Sequence, residues 1–322
     1  MEKFAYANPK TEAEALALLG PDAAILAGGT DLLSSMKELI ATPKTVVNIK
    51  NVKTLGGIGV GKGGMRIGST VTLDELLENA AVRKAFPSLI EAALGITSPQ
   101  IRNMGTVAGD LLQRPRCWYY RNGFGLLATQ NGKALVPEGE NKYHAILNNK
   151  GPAYFVSPSS LGPALMALGA SIRLRSAQGM REVAAEKFFV TPLNEQSRET
   201  DIKPNEILSE IMIPIAPVAN ATYEVRQKEA LDWPLASASV ALKMSGTQIT
   251  SARVVLGHVA PTPFAAVAAD KYLAGKPLNE QTATEAAKQA LMSATPLSQN
   301  VYKVQLARVA VKRALLSAKK QV

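Results

Sequence analysis

Capped helices and short apolar strands alternate at close intervals through the first hundred residues, which restricts the chain to mixed α and β architectures. Thr11 and Glu14 form a capping-box pattern before AEALALLG, with Gly20 closing that helix. AAILAGG reads as a short buried strand ending in glycines, DLLSSMKELI as a helix and TVVNIK as another strand. A glycine-rich turn leads to the strand MRIGS, and Thr72 and Glu75 make a second capping box ahead of LDELLENA. From Arg114 to about Pro152 the pattern decays, and so long a segment in a compact unit marks a functional loop or an insertion. AYFVSPSSLGPALMALGASIRLRSAQG then supplies a strand, a helix and a strand, and NEILSEIMIPIAP a strand leading to a boundary near Pro217. Beyond it, TYEVRQKEALDWPLASASVAL, the alternating ARVVLGHVA and two helices read as a separate domain.

With 322 residues, 47% of them hydrophobic, the chain can bury the cores of two or three domains. Its single cysteine, Cys117, excludes an internal disulfide framework. No apolar run is long enough to span a membrane, and MEKFAYANPK lacks an apolar signal segment. A cytoplasmic location is expected; the alternative is the periplasm, reached with a partner that carries the signal. The net charge of +10 invites a nucleic-acid reading, yet the excess is partly local, because no acidic residue follows Glu285. Gln305, Arg308, Lys312 and Lys319 share one face of a closing helix, and Val304, Ala307, Val311 and Leu315 another. That is a packed helix with a solvated basic side, and no nucleic-acid signature accompanies it.

Several familiar motifs fail on context. Gly59, Gly61 and Gly64 match the dinucleotide fingerprint GxGxxG, but a strand follows where a helix must receive the pyrophosphate, so a hairpin turn is expected. Gly56, Gly61 and Lys62 imitate a P-loop, but Gly63 stands where a magnesium-holding hydroxyl is required. Two histidines, His144 and His258, and one cysteine do not make a structural zinc site. No GxSxG elbow supports a serine hydrolase.

LAGGTDLL is better placed, between a buried strand and a helix. Gly28 and Gly29 let the backbone turn sharply and approach a ligand, and the free N–H groups beyond them suit an anion. Thr30 adds a hydroxyl, and Asp31 can cap the helix or accept from a sugar hydroxyl. A plain strand-to-helix turn explains this stretch equally well. SPQIRNMGTVAGDLL is a second glycine-punctuated polar segment, with Thr106, Gly109 and Asp110 able to face the same ligand. Two such loops imply a long ligand with a charged middle, such as a dinucleotide.

AGGTDLL and RNMGTVAGDLL together resemble the two flavin loops of the FAD-binding subunit of the molybdenum hydroxylases, the family of xanthine dehydrogenase, aldehyde oxidoreductase and carbon monoxide dehydrogenase. NEILSEIMIP and VRQKEALDWPLASASVAL are similar to its closing strand and the start of its C-terminal domain. The resemblance covers essentially the whole chain. It implies an α+β protein with an FAD-binding domain of the PCMH type at 1–217, in two α/β subdomains at about 1–55 and 56–217. The insertion lies at about 114–152, and a smaller α+β domain of the CO dehydrogenase flavoprotein type at 218–322. The implied cofactor is FAD. Leu26, Ala27, Gly28, Gly29, Thr30, Asp31 and Leu32 would surround its diphosphate; Thr106, Gly109 and Asp110 would reach the flavin side; Leu208 and Lys228 would also lie at the cofactor. The family usually reads Gly-Gly-Asn where this chain has Ala108, Gly109 and Asp110, and Glu224 holds a position that is often basic.

The implied role is electron transfer, with no catalytic acid, base or nucleophile in this chain. Substrate would be oxidised at a molybdopterin-binding large subunit, and electrons would pass through a two-iron two-sulfur small subunit to FAD and an external acceptor. Nucleic acid and a membrane span are not expected. Two other readings are a stand-alone flavin oxidase of the related covalent-FAD fold and a non-catalytic anion- or nucleic-acid-binding protein. LLQRPRC followed by an aromatic run is most similar to the periplasmic aldehyde oxidoreductase type, whose insertion carries a four-iron cluster on four cysteines. This chain keeps only Cys117, so the resemblance makes it the remnant of a cluster ligand or a buried thiol, with no histidine base near in sequence.

Overall fold

The computed structural model describes residues 1–229 and 231–321. Three sheets organise the chain. The first is parallel, with Thr45–Asn48 between Ala5–Ala7 and Ala23–Leu26. Parallel neighbours need crossovers, and the helices Glu12–Ala17 and Leu32–Lys37 lie on these two connections. Ala15, Val47, Ile49, Val52 and Leu55 form the core here, joined by Ile207 from far along the chain.

The second sheet is antiparallel, ordered Ile58–Gly61, Gly64–Gly68, Ile207–Ile213, Ser171–Ser176 and Gly179–Ala184. The GxGxxG lookalike is the expected hairpin: Gly61 pairs with Gly64 across Lys62 and Gly63. A Cβ on Gly64 would lie 2.3 Å from the Ile213 carbonyl oxygen, so close strand packing explains that glycine. The helices Leu73–Glu78, Ala80–Ala85, Pro87–Leu94, Val107–Leu112 and Leu161–Ala167 supply most of the core packed with this sheet. The Thr72–Glu75 capping box forms in full. At Thr11 only half of it does, because Glu14 accepts from the Lys10 N–H instead of Thr11, and the helix ends at Ala17, ahead of Gly20.

Ala219–Val225, Ala236–Ser245, Gln248–Gly257 and Phe264–Ala265 form an antiparallel meander. Three helices, Val267–Leu273, Glu280–Ala290 and Tyr302–Lys319, share its core, where the sequence suggested two. The closing helix buries Ala307, Val311 and Leu315 as its periodicity requires, and also Lys303. The Lys303 ammonium donates to the carbonyls of Tyr143, His144 and His258, at 3.2, 3.2 and 2.8 Å. It ties the insertion to the last domain, and burial pushes it down to about 7.

The segment 114–152 holds the short helix Trp118–Arg121, a small hairpin of Thr129–Gln130 with Lys133–Ala134, and its own cluster of Tyr120, Leu126 and Leu127 with Ala153 and Phe155. AYFVS is not the expected strand. It is an irregular buried connection, with the Tyr154 carbonyl accepting from Ala145 and the Ser157 N–H donating to Ala260. No helix of the described residues is long and apolar enough to cross a membrane.

Candidate functional site

At the carboxyl end of Ala23–Leu26, the place where open α/β sheets leave room for ligands, the chain turns through Gly28 and Gly29 into Leu32–Lys37. The two glycines serve different ends. Gly29 has φ +76°, a left-handed turn that side chains resist. At Gly28 the constraint is steric, since a Cβ there would lie 2.0 Å from the Met104 carbonyl oxygen. The two glycine motifs therefore meet backbone against backbone. Among the described residues, no protein group accepts from the N–H groups of Gly28, Gly29, Thr30, Asp31 or Leu32; Leu33 is the first to bond back, to the Gly29 carbonyl at 3.1 Å. Successive free N–H groups of this kind make a concavity for an anion.

The second turn is held just as firmly. Gly105 accepts from the Leu73 N–H at 3.0 Å and Val107 donates to Val71 at 2.9 Å. The buried Thr106 hydroxyl accepts from the Gly109 N–H at 3.1 Å, capping Val107–Leu112. Between the two turns and the segment 190–208 lies a cleft of about 860 Å³, at the upper end of cofactor-sized sites. Ala27, Gly28, Gly29, Thr30, Asp31, Leu32, Thr106, Gly109 and Leu208 line it. A cleft of this volume with glycine-turn N–H groups along its lining fits a diphosphate-linked dinucleotide such as FAD.

Three expected residues fall elsewhere. Leu26 stays in its strand, its carbonyl accepting from Ile49 at 3.0 Å. Asp110 is 6% exposed and its carboxylate accepts from the Ser159 hydroxyl at 2.5 Å, Ser160 N–H at 3.3 Å and Leu161 N–H at 3.0 Å. Those bonds engage both oxygens at the start of Leu161–Ala167, while burial pushes the carboxyl's affinity for a proton up. Lys228 borders a separate hollow of about 450 Å³ with Glu91, Tyr223, Glu224 and Arg226. Glu224 is paired with Arg226, and burial pushes it up to about 7 against the pull of that guanidinium.

Asp31 lines the cleft but does not cap its helix. Its carboxylate accepts from the Arg114 N–H at 2.8 Å and Arg121 at 2.9 Å, and pairs with Arg116 at 2.8 Å. The start of the insertion is thus fastened beside the glycine turn. Sequence reasoning also missed the segment 190–207, whose Ser197, Arg198 and Lys203 border the cleft. Arg181, on the strand Gly179–Ala184, anchors that segment through Asp201 at 2.6 Å and Glu206 at 2.7 Å.

Cys117 does have a histidine beside it. His144 Nε2 lies 3.2 Å from its sulfur, a contact that folding makes across the insertion. Burial pushes the thiol up, whereas burial and the Lys303 charge push the imidazole down to about 4. Both groups are neutral near pH 7, which is a packing arrangement and not an activated nucleophile. Among the described residues, no group of three or more His, Cys, Asp or Glu is placed to hold a metal ion.

Residues 2–216 match the family model described as the FAD binding domain in molybdopterin dehydrogenase, and residues 221–318 the CO dehydrogenase flavoprotein C-terminal domain. The chain is 31% identical to the carbon monoxide dehydrogenase medium chain of Afipia carboxidovorans, over 98% of this chain and 96% of that one. It is 30% identical to the aldehyde oxidoreductase FAD-binding subunit of Escherichia coli, with both chains fully covered. Carbon monoxide dehydrogenase from Hydrogenophaga pseudoflava has the same fold, with a TM-score of 0.78 at 28% identity over 99% of this chain and 98% of that one. The α+β fold, the flavin-loop pair and these matches agree: the chain belongs to the FAD-binding medium-subunit family of the molybdenum hydroxylases, as an FAD-dependent oxidoreductase subunit.

Proposed function

We propose that this chain is the flavin-bearing relay of a three-part hydroxylase, partnered by a molybdopterin-binding large subunit and a two-iron two-sulfur small subunit. The observation that carries the reading is the run of unpartnered N–H groups from Gly28 to Leu32, set against the second glycine turn at one end of a dinucleotide-sized cleft. FAD bound there supplies electron transfer from the iron–sulfur partner to an external acceptor. Gly28 to Leu32 would hold the diphosphate through backbone N–H groups, with Ala27 lining the same turn, and the Thr30 hydroxyl would add a donor. Thr106, Gly109 and Leu208 shape the flavin side. Asp110 works one layer back, holding the start of Leu161–Ala167 against the second turn. The compartment proposed is the cytoplasm, with export beside a signal-bearing partner as the alternative.

Purification of the full chain alone, and together with the subunits that accompany it, tests the proposal. The isolated chain should be yellow yet fail to oxidise aldehydes or purines, and turnover should appear only with the partners. Substrate-dependent turnover by the single chain would overturn the relay assignment.

A further inference from the structure

Six charged side chains border the cleft: Asp31, Arg114, Arg198, Asp201, Lys203 and Glu206. The three acids are already matched, Asp31 by Arg116 and Arg121, and Asp201 and Glu206 by Arg181. Arg114 is matched in turn by Glu199 at 3.1 Å. Among the described residues, Arg198 and Lys203 have no carboxylate at ion-pair distance, so the cleft wall keeps two unmatched positive charges. Arg198 is the one whose electrostatic neighbourhood includes Asp31, Arg114 and Tyr120, beside the glycine turn. Arg198 is an exposed residue of the cleft wall, and the surrounding protein and the Arg114 charge depress its basicity. A cation without a protein counter-charge on the wall of a cleft that already presents free N–H groups favours an anionic ligand there.

We infer that Arg198 is the counter-ion of the bound cofactor's diphosphate, closing from the segment 190–207 over an anion that the Gly28–Leu32 N–H groups hold from the opposite side. The inference rests on FAD being the ligand of this cleft. It adds a side-chain anchor to the backbone cradle and gives the segment 190–207 a role. A planar guanidinium suits two phosphate oxygens at once, whereas a lysine offers one point charge. Charge-assisted bonds of this class correspond to roughly ten- to hundredfold in affinity.

The decisive experiment is titration of the flavin-free full chain with FAD, at several salt concentrations, for wild type, Arg198→Ala and Arg198→Lys, alongside melting of each flavin-free protein. Arg198→Ala should bind FAD about ten- to a hundredfold more weakly, with a flatter salt dependence, and Arg198→Lys should recover part of the loss. The flavin-free variants should melt no lower than wild type, because Arg198 leaves no protein partner behind. Unchanged FAD affinity in Arg198→Ala would overturn the inference. So would a loss of affinity that keeps the wild-type salt dependence, since that would report a changed cleft shape. A wild-type chain that takes up no FAD would refute the cofactor reading itself.

Discussion

The carboxylate of Asp31 accepts from the guanidinium of Arg121 at 2.9 Å across ninety residues of chain, at the exit of the flavin turn. One acid thereby fastens the insertion to the cofactor domain, with Arg116 and the Arg114 N–H on the same two oxygens. Asp31→Ala strips these donors of their acceptor, and the pairs are only partly buried, so the expected cost is about 1–3 kcal/mol. Thermal unfolding should register it, with faster proteolytic nicking between 114 and 152. An unchanged nicking rate would mean the insertion is held by its own core.

Gly28 and Gly29 should respond differently to alanine. At Gly28 the added methyl meets the Met104 carbonyl, which forces two backbones apart at a cost of about 1–3 kcal/mol. Flavin and stability should fall together. At Gly29 the strain is local, about 1–2 kcal/mol for a left-handed residue, so flavin content should fall with little change in the second turn. Valine at Gly29 should be worse, because Leu26 and Leu33 stand 3.1 and 3.2 Å from the Cβ position. Full flavin loading of a folded Gly29→Val chain would contradict the cradle.

Asp110→Ala should cost stability without emptying the cleft. Its removal leaves Leu161 N–H and the Ser159 hydroxyl without their buried acceptor, worth about 1–3 kcal/mol. Flavin per folded chain should stay near the wild-type value. Loss of flavin from a variant as stable as wild type would return Asp110 to the cofactor.

His144 sets a pH signature. Its folded value of about 4 lies below the ordinary 6.5, so the unfolded chain takes the proton first. The stability it contributes is present above pH 6.5 and is lost as pH falls toward 4. In His144→Gln, the slope of unfolding free energy against pH over that window should shrink by about one proton. Parallel curves would show that the imidazole is protonated in the fold.

Cys117 should be silent in flavin chemistry. The half-buried thiol beside neutral His144, held protonated by its surroundings, should label slowly in the native chain and at the rate of a free cysteine once unfolded. Cys117→Ser should retain flavin, and the isolated chain should carry no iron, because one thiolate cannot hold a four-iron cluster. Stoichiometric iron would mean that the insertion recruits ligands from elsewhere.

What the sequence revealed follows from locality. The glycine turns, the Thr72 box and the Gly61–Gly64 hairpin are each settled within a few residues, so their chemistry can be read directly. Asp31 and His144 owe their surroundings to partners tens of residues away, and no spacing rule reaches them. The strand Gly179–Ala184 was hidden because its exposed and half-buried residues show no apolar alternation. AYFVS was misleading for the opposite reason: it is apolar because it is buried, but its backbone bonds go to loops instead of a ladder. Arg198 sits in a polar stretch that carries no motif at all.

The missing Cβ of Gly28 has a consequence in time as well as in space. The turn that receives the diphosphate is synthesised early, yet it packs against Met104, and the cleft it faces is lined by Leu208, from a strand made much later. An emerging N-terminal fragment therefore has a correct loop and no pocket. Flavin capture is expected to wait until the central strand Ile207–Ile213 has joined its sheet, which makes the yellow colour a marker of chains that have completed that long-range step.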